Sequence, residues 1–133
     1  MGSVSYVKIF NQLMDEFFRE LIESFPEETK IKVHYHLFQT LCSTNIKKPC
    51  IDFMTGSVPY LEKICMKDED FFTSDDKPQL LTSMNIQNIW TPDLSEVTKN
   101  AIWNYIKSFF SIGINIVQMP KEKMDLINYI INN

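Results

Sequence analysis

The sequence predicts an all-α fold: an irregular bundle of about five or six helices around a central helix near residues 92–112, in a single helical domain spanning residues 1–133. Three observations predict it. Apolar residues recur at spacings of three and four through most of the chain. The segments so marked are bounded by Ser, Thr, Pro and Gly where helices start and stop. Glycine occurs only three times, too rarely for a turn-rich β-sandwich. With 133 residues, 44% of them hydrophobic and 13% aromatic, the chain can bury a core without a disulfide or metal and is not a disordered segment.

The central helix is read from Thr91 to Gly113. Thr91 can cap it, Pro92 suits a first helical position, and Asp93 and Glu96 complement the positive end of the helix dipole. Ser95 is the alternative cap one turn later. Leu94, Val97, Ala101, Ile102, Tyr105, Ile106 and Phe109 form its stripe, and Trp103 and Phe110 widen it, so burial on more than one side is expected. Gly113 offers a left-handed stop.

Taken in order, Ser3 or Ser5 caps a first helix that runs to about Ser24, with Tyr6, Phe10, Leu13, Met14, Phe17, Leu21 and Ile22 inward and Phe18 off the main stripe. Phe25-Pro26 ends it, because a residue before proline disfavours helical geometry. A second helix opens at Pro26 or Thr29, with Ile31, Val33, Tyr35, Leu37, Phe38 and Leu41 as its face. Part of that set also alternates as a strand would; the continuation through Leu37, Phe38 and Leu41 favours helix. After a polar loop from Ser43 to Lys48 come a short helix or turn over 49–54, an interruption at Gly56-Ser57, and a helix from Pro59 with Tyr60, Leu61, Ile64 and Cys65 inward. Leu80, Leu81, Met84, Ile86, Ile89 and Trp90 mark one or two short helical turns. Beyond Gly113, residues 114–117 read as a short extended piece, and Pro120 opens a last helix through Met124, Leu126, Ile127, Tyr129, Ile130 and Ile131.

Charge narrows the function classes. The formal net charge is -4, and Arg19 is the sole arginine among 13 basic residues. Arginine supplies the forked contacts that read guanine and grip phosphate, so its scarcity argues against a sequence-specific nucleic-acid reader. Lys47-Lys48 and Lys121 with Lys123 are the local basic pairs, too few for a phosphate track. Three cysteines, Cys42, Cys50 and Cys65, without C-x-x-C spacing fit a reducing compartment. No signal peptide and no membrane span are expected, since no apolar run approaches the ~20 residues a bilayer requires. Met1-Gly2-Ser3 begins like an acylation signal, but Tyr6 stands where that motif wants Ser or Thr.

Two stretches together resemble a known group. One is Ile64-Cys65-Met66-Lys67-Asp68-Glu69-Asp70-Phe71-Phe72. The other is Ile89-Trp90 followed by Lys99-Asn100-Ala101-Ile102-Trp103-Asn104-Tyr105-Ile106. An acid-acid-Phe-Phe segment, an Ile-Trp and an Ile-Trp-x-Tyr-Ile helix resemble small helical proteins of nucleocytoplasmic large DNA viruses that infect protists and algae. The likeness spans roughly residues 10–112, with its core at 64–110. It implies a viral origin and a helical fold, and it carries over no catalytic or binding residues.

Candidate sites are few. His34 and His36 lack further ligands in sequence, and surface or packing histidines are the favoured reading over zinc. Asp68, Glu69, Asp70, Asp75 and Asp76 lack calcium-loop spacing and its glycine. The cysteines have no histidine in a recognisable relation to them and read as buried thiols. No phosphate-cradling glycine loop, G-x-S-x-G or H-E-x-x-H occurs. Trp90, Trp103 and Tyr105 can stack on bases but read better as core. The expectation is therefore a protein that is not an enzyme, has no cofactor or metal, and acts through protein–protein contacts with a viral or host protein, or with its own copies, in the host cytoplasm or the virion. The partner-binding residues expected are Asp68, Glu69, Asp70, Phe71 and Phe72, two aromatic anchors inside an acidic rim; the bland alternative puts at least one phenylalanine in the core. Phe18, Phe110, Ile130 and Ile131 extend the expected patch. The alternatives are a nucleic-acid-associated accessory of viral transcription or packaging, and a Bcl-2-like inhibitor of host cell death, which lacks here the Asn-Trp-Gly-Arg segment.

Overall fold

The computed structural model describes residues 2–133. Met1, part of the acylation-like start, and the Ser3 side chain, one of the two expected caps, lie outside that description. The described chain is all-α and no residue in it is in a strand. Its segments are α1 (Ser3–Ser24), α2 (Thr29–Thr44), α3 (Lys48–Ser57), a 3-10 turn (Val58–Tyr60), α4 (Leu61–Cys65), α5 (Asp70–Thr73), α6 (Gln79–Ser83), α7 (Ile86–Ile89), α8 (Glu96–Gly113) and α9 (Lys121–Asn132). None of these helices is long and apolar enough to cross a membrane.

The longer helices follow the sequence pattern. Gly2 holds the cap position of α1, and Ser5 sits inside the first turn. The N–H of Phe25 returns to the Leu21 carbonyl at 2.8 Å, and Pro26 stops further winding. The central helix α8 starts at Glu96 instead of Pro92: the backbone N–H of Thr98 donates to the Ser95 hydroxyl at 3.2 Å, so Ser95 is the cap. Thr91 and Pro92 belong to the preceding turn. Val97, expected inside the stripe, is 81% exposed, and Ala101 is exposed as well.

Aromatic side chains hold α1, α3 and α8 together. Phe109 lies 5.4 Å from Phe10, 5.6 Å from Phe17 and 5.2 Å from Phe53, ring centre to ring centre, with the last two pairs edge-to-face. Phe53 also meets Phe110 edge-on at 5.1 Å. These geometries suit the ring quadrupoles as well as the burial. Helices α8 and α9 close the other side, where Ile127 and Ile130 are buried and the Cys65 thiol donates to the Leu126 carbonyl at 3.3 Å.

Four local expectations are corrected. Helix α3 runs through Gly56 to Ser57 without interruption. Residues 114–117 are not extended: the N–H groups of Ile116 and Val117 both donate to the Gly113 carbonyl at 2.9 Å, which folds the segment into a turn. Gly113 is helical and has no positive φ. Its missing side chain serves packing instead, since a Cβ there would lie 2.5 Å from Sδ of the buried Met54. The fourth concerns α2. Val33 and Leu37 point outward, because the inward side of this helix is set by Ile31, Tyr35, Phe38 and Cys42.

Candidate functional site

The acidic–aromatic segment is where a site was expected, and the structure divides it in two. Phe71 and Phe72 are core residues, 4% and 1% exposed. Phe72 stacks on Trp90 with ring centres 4.0 Å apart, meets Trp103 edge-on at 4.9 Å, and contacts Phe71 at 4.9 Å. Helix α5 is a four-residue turn whose role is to plug these rings against α7 and α8. The two phenylalanines are therefore not available as interface anchors. Phe18, Phe110 and Ile130 are buried too, and Ile131 is half-buried, so the extended patch does not form a surface. The reason is geometric: each of these residues lies on the side of its helix that faces a neighbouring helix.

The three acids remain exposed, and two of them are committed locally. The Asp70 N–H donates to the Asp68 carboxylate at 3.0 Å, a local turn just ahead of α5. Glu69 Oε1 accepts the Trp90 indole N–H at 3.0 Å and pairs with Lys99 Nζ at 2.7 Å. Lys99 in turn lies over the Trp90 ring, 5.7 Å from its centre. The Lys99 ammonium first, and the indole N–H second, hold the Glu69 carboxyl below its ordinary range; the same contact with Glu69 raises the Lys99 ammonium. The two stretches singled out in the sequence thus form one structural clamp: Glu69, Phe71 and Phe72 from the first grip Trp90, Lys99 and Trp103 from the second.

The remaining chemistry-bearing residues are dispersed. His34 is half-buried and His36 exposed on α2, and among the described residues no three His, Cys, Asp or Glu side chains gather as a metal site. Cys42, Cys50 and Cys65 are unpaired thiols. Burial pushes Cys50 up to about 12. Burial first, with Asp15 and Glu62 second, raises Cys42 and Cys65, so all three are protonated thiols at neutral pH.

Three surface features stand out. The first is an open groove between α1 and α2, with Asp15, Glu16, Lys8 and Arg19 along it. Its charges are partly matched internally: Arg19 Nε is 2.9 Å from Asp15 and donates to the Tyr35 hydroxyl at 3.0 Å, which donates to Asp15 at 2.6 Å. The second is a cleft of about 280 Å³ between α4, α8 and α9 that includes Lys67 and Lys107. The third is the outer side of α2. Val33 is 57% exposed and Leu37 is 54% exposed, one turn apart. Leu41, half-buried, continues the same line. Lys30, Lys32, His34 and His36 share the helix, and α2 contains no Asp or Glu. In a chain of net charge -4 this is a local excess of positive and neutral groups.

In the sequence the apolar residues of α2 read as one inward set, which hides this second face. The signal was present. Ile31, Tyr35, Phe38 and Cys42 occupy one side of a 100°-per-residue wheel, Val33 and Leu37 occupy the other, and Leu41 lies at the boundary. A helix apolar on two sides has a second surface to cover. No protein-family model, curated protein or solved structure matches the chain.

Proposed function

We propose that the chain is a non-enzymatic interaction protein of a large DNA virus, and that it works by docking an acidic, amphipathic helix of a viral or host protein on the outer face of α2. The carrying observation is the exposed pair Val33 and Leu37, flanked by half-buried Leu41, on a helix with two lysines, two histidines and no carboxylate. Apolar residues one turn apart on a helix accept the ridge of a second helix, and such helix-on-helix recognition is read through anchors at i and i+4. The flanking Lys30 and Lys32 favour carboxylates at the rim, which set the orientation and speed of encounter more than the affinity. The viral setting rests on the resemblance of residues 64–110. A reducing compartment, the host cytoplasm or the particle interior, is supported by three unpaired cysteines.

The test is affinity capture from expressing cells with the wild type and with a Val33→Asp/Leu37→Asp double variant, each with and without nuclease. Both positions are exposed, so the variant is expected to keep its fold. A stoichiometric protein retained by the wild type after nuclease and lost by the variant supports the reading. Retention by both proteins, or loss on nuclease treatment, contradicts it. Co-capture of an untagged second copy through this face contradicts the acidic-partner reading and makes α2 a self-association surface.

A further inference from the structure

We propose that the cleft between α4, α8 and α9 binds a small amphipathic anion, a carboxylate or phosphate head carried on an apolar body. The site is built from different helices than the α2 face and does not depend on it. Its apolar wall comes from Ile64, Trp103 and Ile130, which are buried, with Met66 and Tyr129 exposed at the mouth. Its polar lining brings two ammonium groups, Lys67 and Lys107, with the Asn104 and Asn133 amides and the Cys65 thiol, and no Asp or Glu side chain. The volume of about 280 Å³ lies just below the usual range of ligand sites, which suits a small ligand, and an apolar wall with a few polar groups is what such sites share.

The two lysines are unmatched. Lys107 is half-buried, yet neither it nor Lys67 forms an ion pair or side-chain hydrogen bond among the described residues. The carbonyls that end the neighbouring helices do not serve as their partners. At the end of α4 the Lys67 N–H donates to the Ile64 carbonyl at 3.1 Å and the Asp68 N–H to the Lys63 carbonyl at 2.9 Å, a closed Schellman stop. At the end of α9 the side-chain amides of Asn132 and Asn133 donate to the carbonyls of Asn128 and Tyr129.

Lys67 also forms the turn of that stop. It occupies the left-handed position of that stop, with φ 49°, where glycine is the unstrained choice. A long cationic side chain is held at the cleft in a conformation that disfavours it. An anionic head bridging Lys67 and Lys107, with its body against Trp103 and Ile130, uses the two unmatched charges and the apolar wall.

The test is an amide-detected NMR titration of the full chain with octanoate, octyl phosphate, octylammonium and inorganic phosphate. Saturable shifts are expected at amides of 64–67 and 103–107 with octanoate or octyl phosphate; whichever saturates identifies the head group. Octylammonium and inorganic phosphate are expected to leave those amides in place. Lys107→Gln is expected to weaken binding by about tenfold, the loss of one charge-assisted contact. Lys67→Gly is expected to weaken binding while raising the melting temperature, which separates a binding defect from a folding defect. The proposal is overturned if no probe saturates at these amides, if octylammonium shifts them as octanoate does, or if Lys107→Gln leaves the affinity unchanged.

Discussion

Phe72 lies flat on Trp90, with ring centres 4.0 Å apart and planes 15° apart. The pair joins α5 to the turn that leads into α8, and Trp103 closes it edge-on. Phe72→Ala leaves a void that a four-residue helix cannot collapse around. It is expected to cost about 3–5 kcal/mol of stability, read from the urea midpoint at constant slope. Val33→Asp, at an exposed position, is expected to stay within about 0.5 kcal/mol. Equal effects would place Phe72 outside the core.

Glu69 ties the same cluster together electrostatically. Its carboxyl is held low by Lys99 and by the Trp90 indole, so its contribution is present above the ordinary carboxylate range and is lost as pH falls through its own lowered value. Lys99 is raised by Glu69, so its part is present below the ordinary lysine range and is lost as pH rises through its raised value. Glu69→Gln is therefore expected to melt below the wild type near neutral pH. The gap closes in acid, where the carboxylate is protonated in both states. A gap that persists unchanged in strong acid contradicts the ionic part of the clamp.

Gly113 and Met54 form a close approach of α8 to α3. A Cβ at 113 meets Met54 Sδ at 2.5 Å and Cγ at 3.1 Å. Overpacking costs roughly 1–3 kcal/mol, against roughly 0.5–1 kcal/mol gained when alanine replaces a helical glycine. Gly113→Ala is expected to be net destabilising by about 1 kcal/mol. In a Met54→Ala background the obstruction is gone, so the same change is expected to become stabilising. A double-mutant cycle in chemical denaturation reads that reversal of sign.

Lys67 holds a glycine position. Lys67→Gly relieves a left-handed side chain and is expected to stabilise the chain by about 0.5–1 kcal/mol, measured in urea without added ligand. No gain would mean that the Lys67 side chain compensates its strain through contacts within the free protein.

The helical class, the extent of α1 and the burial of Phe10, Phe17 and Phe109 were legible because long amphipathic segments write their inward face in the spacing of apolar residues. The start of α8 was less so: Thr91-Pro92 and Ser95 both carry start signals, and the geometry of the preceding turn selects Ser95. Gly113 reads as a stop because its neighbour Met54 is distant in sequence, and a close approach between helices leaves no local signal. The acidic–aromatic segment was legible as a unit but not as core. Its phenylalanines are inside only because Trp90 and Trp103 are brought opposite them by tertiary packing. Val33 and Leu37 read as inward because they alternate with Ile31 and Tyr35, whereas a helix sends them to the other side.

The most direct measurement is a selection from a displayed peptide library on the wild-type chain, repeated on the Val33→Asp/Leu37→Asp variant. The expected result is enrichment of amphipathic helical peptides with apolar residues at i and i+4 flanked by Asp or Glu, and loss of that enrichment on the variant. Enrichment of basic or extended peptides, or a selection that the variant leaves unchanged, would contradict α2 as the docking face.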